Sequence, residues 1–233
     1  CGTLFPYTTL FRSLEHLARN GTLRAAINTG NRALVQVVEG DLRGVSPALA
    51  RRLSGRTGAR LDPVVYGGAG AVFADAGADN WDVAFLAIDP VRAEQVCFTR
   101  PYHVIEATYA VRAGSPFDTP EAVDREGVTV LTSTGSAYDL YLSKALRHAR
   151  LKRSGAPGES FEEFRAGRGD VVAGIRAGLE RAFGGDPAFT VLPGVLTRVE
   201  QAMVLPGRNH PLLPALDAFV AEAIAEGFVE RAL

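Results

Sequence analysis

The sequence predicts an α/β protein built as two lobes, each a mostly parallel sheet flanked by helices. Two observations carry this. Short apolar runs alternate with amphipathic stretches along most of the chain, and strand–helix alternation of this kind places helices on both faces of a parallel sheet. The alternation occurs in two successive stretches of about 100 residues each, a size that suits one lobe apiece.

In the first stretch, Leu23 to Asn28 reads as a strand running into a Gly30-Asn31 turn. Ser46-Pro47 opens a helix with a capping hydroxyl and a first-turn proline, and Leu49 and Leu53 supply its apolar stripe. Leu61 to Tyr66 is a second strand, Ala69 to Ala76 a short helix, and Trp81 to Ile88 a buried strand. Asp89-Pro90 reads as the start of a further helix. In the second stretch, Phe98 to Tyr102 leads into an extended Ala107 to Val111, followed by a strand at Thr129 to Thr132 and a helix at Ser136 to His148. A weak strand at Leu151 to Arg153, a short helix at Phe161 to Phe164, a strand at Val171 to Ala173 and a helix at Arg176 to Phe183 continue the pattern. Thr190 to Leu192 and Glu200 to Leu205 read as strands, and Leu213 to Glu226 as a helix stopped by Gly227. The extended segments near Val111 and Arg198 are the natural crossovers. The expected division is lobe one at 22–108 plus 199–233, lobe two at 112–197, and hinges near 109–111 and 198.

Composition narrows the class. The 233 residues are 47% hydrophobic with a formal net charge of −1, which fits a globular fold and leaves no basic footprint for a nucleic-acid partner. No apolar run approaches the roughly 20 residues of a membrane span. Lys144 and Lys152 are the only lysines among 25 basic residues, a usage that points to a GC-rich genome. Beyond Cys1 the sequence holds one cysteine, Cys97, so no disulfide within the fold and no cysteine-based metal site is expected. Cys97 sits in an apolar run and reads as a buried small hydrophobe. The stretch Thr3 to Ser13, TLFPYTTLFRS, looks like a translated sequencing adapter, so residues 1–13 are set aside from the fold. With that stretch directly behind it, Cys1-Gly2 is not taken as a lipidated lipoprotein start. A signal peptide would lie upstream of the residues given.

Trp81 to Tyr102, WDVAFLAIDPVRAEQVCFTRPY, resembles the signature stretch of the family 3 bacterial solute-binding proteins of polar amino acid ABC transporters. There a strand opening on Asp-Val leads to a Thr-Pro-x-Arg turn and a Phe-Ser-x-Pro-Tyr segment entering the hinge. Gly44 to Leu49 is similar to the family's Gly-Phe-Asp-Val-Asp-Leu helix start, but Ser46 and Ala48 stand at its two aspartates. Thr132 to Tyr138 is similar to its Gly-Thr-Thr-Gly stretch. The resemblance covers about Leu23 to Leu233. It implies the type II periplasmic-binding-protein fold, a two-lobed flytrap. It also implies capture of an amino acid or related carboxylate, delivery to an ABC transporter permease, a periplasmic or extracellular location and a monomer.

Ligands of open α/β sheets sit beyond the carboxyl ends of the strands. Arg92, just past the Trp81 to Ile88 strand, is carried to that edge, where a planar guanidinium can grip a carboxylate bidentately. The alternative is a surface arginine paired to a neighbouring acid. Asp89 either caps its turn or takes a ligand ammonium; the family usually has Thr there. Ser133, Thr134 and Ser136 sit where a strand turns into a helix and either cap it or offer donors to an anion. Asn28 lies at the end of the first strand. The family's ammonium-binding Asp is replaced by Ile175, with Arg176 beside it, and its expected aromatics by Asn31 and Ala69. Tyr66 or Phe85 could replace the missing stacking clamp. Arg92 and Arg176, if both face the cleft, would also suit a dicarboxylate.

No catalytic motif, metal site or cofactor loop is present in the sequence, so a binding protein rather than an enzyme is expected, with no cofactor. Two alternatives share the fold. A sensor module would need an output domain. A dehydratase would need an acid or base in the cleft, for which His103 and Glu106 are the candidates.

Overall fold

The computed structural model describes residues 14–233; the adapter-like stretch and the Cys1-Gly2 reading lie outside the described residues. The strands are β1 Thr22–Asn28, β2 Gln36–Val38, β3 Asp41–Arg43, β4 Arg60–Tyr66, β5 Val83–Ala87, β6 Val96–Arg112, β7 Thr129–Ser133, β8 Arg150–Ser154, β9 Val171–Ile175, β10 Phe189–Val191 and β11 Thr197–Pro206. The helices are α1 Val45–Thr57, α2 Ala69–Ala74, α3 Ala137–Ala145, α4 Pro157–Arg165, α5 Arg176–Phe183, α6 Leu213–Ala225 and α7 Phe228–Arg231. Among the described residues one mixed sheet runs β4-β1-β5-β11-β6-β9-β7-β8, with β10 added along β6.

Each end of that sheet is parallel. β1 pairs in parallel with β4 and β5, and β7 with β8 and β9. All five residues of β5 are buried, as expected for a strand covered on both faces. On one face of the first lobe, Leu23 packs with Leu49 and Leu53 of α1 and with Leu216 and Phe219 of α6; on the other, Ala26 packs with Val72, Trp81 and Leu86. The second lobe repeats the arrangement, with Tyr109, Val130 and Leu142 on one side and Leu131, Phe164 and Phe183 on the other. The protein is therefore a two-lobed α/β fold with helices on both faces of each lobe. α1 ends at Gly58, whose φ of 65° supplies the left-handed residue that closes the helix.

Three features depart from the sequence reading. Asp89-Pro90 opens only a short 3₁₀ turn, Arg92–Glu94, because the chain enters β6 at Val96. Two short extended segments prove to be one 17-residue strand, β6. Pro101, which has no N–H to give the ladder, sits where the pairing with β11 shifts register. There the Thr99 hydroxyl accepts the Met203 N–H at 3.1 Å in place of a backbone carbonyl. The β2–β3 hairpin was not legible because its two turn residues are Glu39 and Gly40, at φ of 52° and 87°, rather than the Asn-Gly or Asp-Gly that flags such a turn.

β6 joins the lobes. It pairs with β11 from Val96 to Ala107 and with β9 from Ala107 to Val111, so its partner changes at Ala107.

Candidate functional site

The carboxyl ends of β1, β4 and β5 from one lobe face those of β7, β8 and β9 from the other across a cavity of about 540 Å³. Of the residues singled out in the sequence, Asn28, Arg92, Ser133 and Ser136 line it; Asp89, Thr134 and Arg176 do not.

Arg92 has no exposed surface. Its Nη1 donates to the Ala87 carbonyl at 2.9 Å and its Nη2 to the Gly135 carbonyl of the opposite lobe at 2.8 Å. Its Nε has no hydrogen-bond partner, and no carboxylate among the described residues forms an ion pair with it. Burial draws its pKa down to about 10, partly offset by the charge of Asp89, so the group stays a cation at neutral pH. A buried cation without a paired anion is costly. Arg92 is thus not the surface arginine paired to a neighbouring acid that the sequence left open.

The second lobe contributes the start of α3. Ser136 Oγ accepts the Asp139 N–H at 3.1 Å, which caps the helix. Ser133 Oγ donates to the Gly155 carbonyl at 2.7 Å. The first N–H groups of a helix have no intrahelical acceptor, and Ala137 and Tyr138, which carry them here, both line the cavity. The Tyr138 hydroxyl is buried beside Ser133 and Ser136, and burial pushes it up to about 12 against the lowering effect of those two serines. On the facing wall, Asn28 Oδ1 accepts the Gly30 N–H at 3.0 Å, which turns its amide nitrogen to other partners. Asn31 Nδ2 donates to Gln201 Oε1 at 3.4 Å, while its own Oδ1 is unpaired.

The other three residues are placed elsewhere. Asp89 Oδ1 accepts the N–H groups of Val91 at 2.8 Å and Arg92 at 3.4 Å, the capping role, and lies off the cavity. The hydroxyl of Thr134 and its N–H both go to the Ser154 carbonyl, which ties that side chain to β8. Arg176 pairs with Glu106 at 3.3 Å and donates to the carbonyls of Leu192 and Gly194. Arg92 and Arg176 therefore do not face one another. The arginine of α5 that lines the cavity is Arg181. Ile175, Gly178 and Ala182 lie on the lining beside it, a helical spacing that puts Arg176 on another face. That periodicity, started from Ile175, was the signal available in the sequence. Arg32 was missed because nothing in its local pattern marks it. Of the two aromatic candidates, Phe85 lines the cavity, whereas the Tyr66 hydroxyl donates to Asp75 at 2.8 Å and lies off it. Phe161 of α4 adds an aromatic that sequence reasoning did not propose.

Neither acid–base candidate reaches the cavity lining. Glu106 is held by Arg176 and, at 3.5 Å, by Arg198, and His103 also lies off the lining. Cys97 is buried, its thiol directed to the Leu205 carbonyl at 3.7 Å. Among the described residues no cluster of His, Cys, Asp and Glu could hold a metal, and no helix is long and apolar enough to cross a membrane.

The lobes touch through glycines. A Cβ on Gly70 of α2 would stand 2.4 Å from the Thr134 carbonyl oxygen, and one on Gly135 2.9 Å from the Gly70 Cα. Together with the Arg92–Gly135 bond, this is a closed arrangement of the two lobes.

A sequence profile described as bacterial extracellular solute-binding proteins, family 3, matches residues 20–232. No curated protein matches the chain. Among solved structures, the solute receptor for L-cysteine of Neisseria gonorrhoeae superposes with a TM-score of 0.82 at 20% identity, covering 95% of this chain and 91% of the other. The cysteine-binding protein of Campylobacter jejuni gives 0.81 at 21%, with the same coverage of 95% and 91%. The arginine-bound form of a truncated ArgBP from T. maritima gives 0.75 at 23%, covering 87% of this chain and 96% of that one. These likenesses concern the fold.

Proposed function

The chain belongs to the bacterial extracellular solute-binding proteins of family 3, and we propose that it captures a small amino acid or related carboxylate between its lobes for delivery to an ABC transporter permease. The observation that carries this is Arg92. Its guanidinium is buried on the cavity wall with a free Nε–H and no anionic partner among the described residues. A carboxylate there would supply the missing anion and could take two parallel N–H bonds. Ser136, the start of α3 and Asn28 add donors around the same space, and a helix N-terminus favours an anion. The relatives named above, which carry cysteine or arginine in their descriptions, accord with a ligand bearing a carboxylate. The lining offers no Asp, Glu or His to act as general acid or base, which supports holding rather than turnover.

In this reading 22–108 plus 199–233 form one lobe and 112–197 the other. They hinge near 109–111 and 198, and the protein works as a periplasmic monomer. The test is a thermal-shift screen of amino acids and organic acids on the parent and on Arg92→Ala. A ligand at a hundred times its Kd stabilises by about 2.7 kcal/mol, or roughly 5–10 °C in a chain of this size. The shift is expected in the parent and is lost at the same concentration in Arg92→Ala. An equal shift in both overturns the proposal.

A further inference from the structure

We propose that the solute held here is an organic acid with two anionic groups and no amine. The inference rests on the reading above, in which Arg92 takes one carboxylate, and concerns what the rest of the cavity accepts. The charged residues of the lining are Arg32, Arg92 and Arg181; it holds no aspartate or glutamate. The carboxylates nearest in the fold are committed elsewhere. Asp89 caps its turn, Asp139 holds Arg153 at 2.9 Å and the Gly135 N–H at 2.9 Å, and Glu106 holds Arg176 and Arg198. An ammonium in this space would meet three guanidinium charges and no paired anion. At position 175, where β9 reaches the cavity, the side chain is the hydrocarbon of Ile175.

The arrangement of the three arginines sets where the second anion goes. Arg92 is fully buried. Arg32, after β1, and Arg181, on α5, are exposed and come from opposite lobes. Neither side chain forms an ion pair with any described residue. Phe85, Ile105, Phe161 and Ile175 line the same cavity as the three arginines. A lining that combines guanidinium groups from both lobes with hydrocarbon and holds no carboxylate fits an acid whose two anionic ends are separated by a carbon chain. The outer anion would lie between arginines of both lobes and so reward closure.

The test is isothermal titration of the whole chain with three matched series: succinate, glutarate and adipate; L-aspartate, L-glutamate and L-2-aminoadipate; butyrate, pentanoate and hexanoate. The best diacid is expected to bind at least tenfold tighter than both its 2-amino counterpart and its monoacid. The double variant Arg32→Ala/Arg181→Ala should erase the advantage over the monoacid, and Ile175→Asp should turn the preference toward the amino acid. An amino acid that binds as tightly as its diacid, and loses that binding in Arg92→Ala, overturns this inference and leaves the carboxylate anchor standing. Binding that Arg92→Ala does not weaken overturns the anchor itself. Absence of binding across all three series overturns this inference, and the thermal-shift screen of the parent against Arg92→Ala then decides the anchor.

Discussion

The glycine contact between the lobes at Gly70 and Thr134 offers a clean perturbation. Gly70 lies inside α2, and its φ is not in the left-handed region, so alanine fits its backbone. In an isolated helix Gly→Ala stabilises by up to about 1 kcal/mol. Across the cleft the effect reverses. The new Cβ would stand 2.4 Å from the Thr134 oxygen, against about 3.3 Å for a favourable carbon–oxygen contact. The lobes must therefore part by about 1 Å at this point. Forcing an extra carbon into a packed contact costs about 1–3 kcal/mol, and only the closed form bears it. Gly70→Ala should therefore weaken ligand binding by about five- to 150-fold while leaving the ligand-free melting temperature equal or slightly higher. Isothermal titration and ligand-free thermal melts on the same samples measure both. Unchanged affinity would show that the ligand-bound form does not bring Gly70 and Thr134 together, and the closed cleft described here would not be the binding state. Gly135 is the wrong partner to substitute, because its φ of 67° would strain any side chain irrespective of the cleft.

Other predictions follow from where side chains point. Asp89→Thr keeps the cap and lies off the cavity, so ligand affinity should stay within about threefold (order-of-magnitude, from one cap retained); a larger loss by titration would place Asp89 on the ligand. Arg176→Ala removes a partly exposed ion pair with Glu106, a type worth about 1 kcal/mol or less, so affinity should hold while the melting temperature falls slightly. Asp217 is held below its ordinary pKa by the hydrogen bonds and charge of Arg100. A depressed carboxylate stabilises the fold above its unfolded pKa of about 4 and loses that contribution as pH falls through the lowered value. Melting curves taken between neutral pH and about pH 3 should therefore show a steeper acid decline in the parent than in Asp217→Asn; parallel declines would remove Asp217 from the acid response.

Local chemistry made much of this fold legible. The Leu49–Leu53 stripe of α1 and the glycine after α6 were readable because stripes and stops are local, but Ser46 does not cap α1: Gly44 holds the cap position, and the Ser46 hydroxyl pairs with the Tyr102 hydroxyl at 3.3 Å. The buried β5 was readable as a continuous apolar run. What failed depends on partners distant in sequence. β6 runs through Pro101 because the Thr99 hydroxyl and a register shift against β11 absorb the missing donor, which no window around Pro101 shows. Arg92 was expected at the strand's carboxyl edge, and it lines the cavity there, because its position after a strand end is a local fact. Arg176 was misplaced because proximity to Ile175 was taken for a shared face, whereas Glu106, 70 residues away, draws its side chain off the cavity. Asp89 remained ambiguous in sequence because a cap and a ligand-binding carboxylate use the same atoms. Nothing in the local pattern around Phe161 or Arg32 marks either as a cavity residue.

The central claim is that Arg92 holds a ligand carboxylate, and a cycle pairing Arg92→Ala with loss of the ligand's charge tests it most directly. Titration of the parent and of Arg92→Ala with the best-binding acid and with its methyl ester gives four affinities. If the guanidinium and the carboxylate meet, each change alone should weaken binding by at least tenfold, a typical scale for one charged hydrogen bond. The two together should then cost little more than either alone. Independent losses that multiply, or an ester that binds the parent as tightly as the acid, would contradict the account.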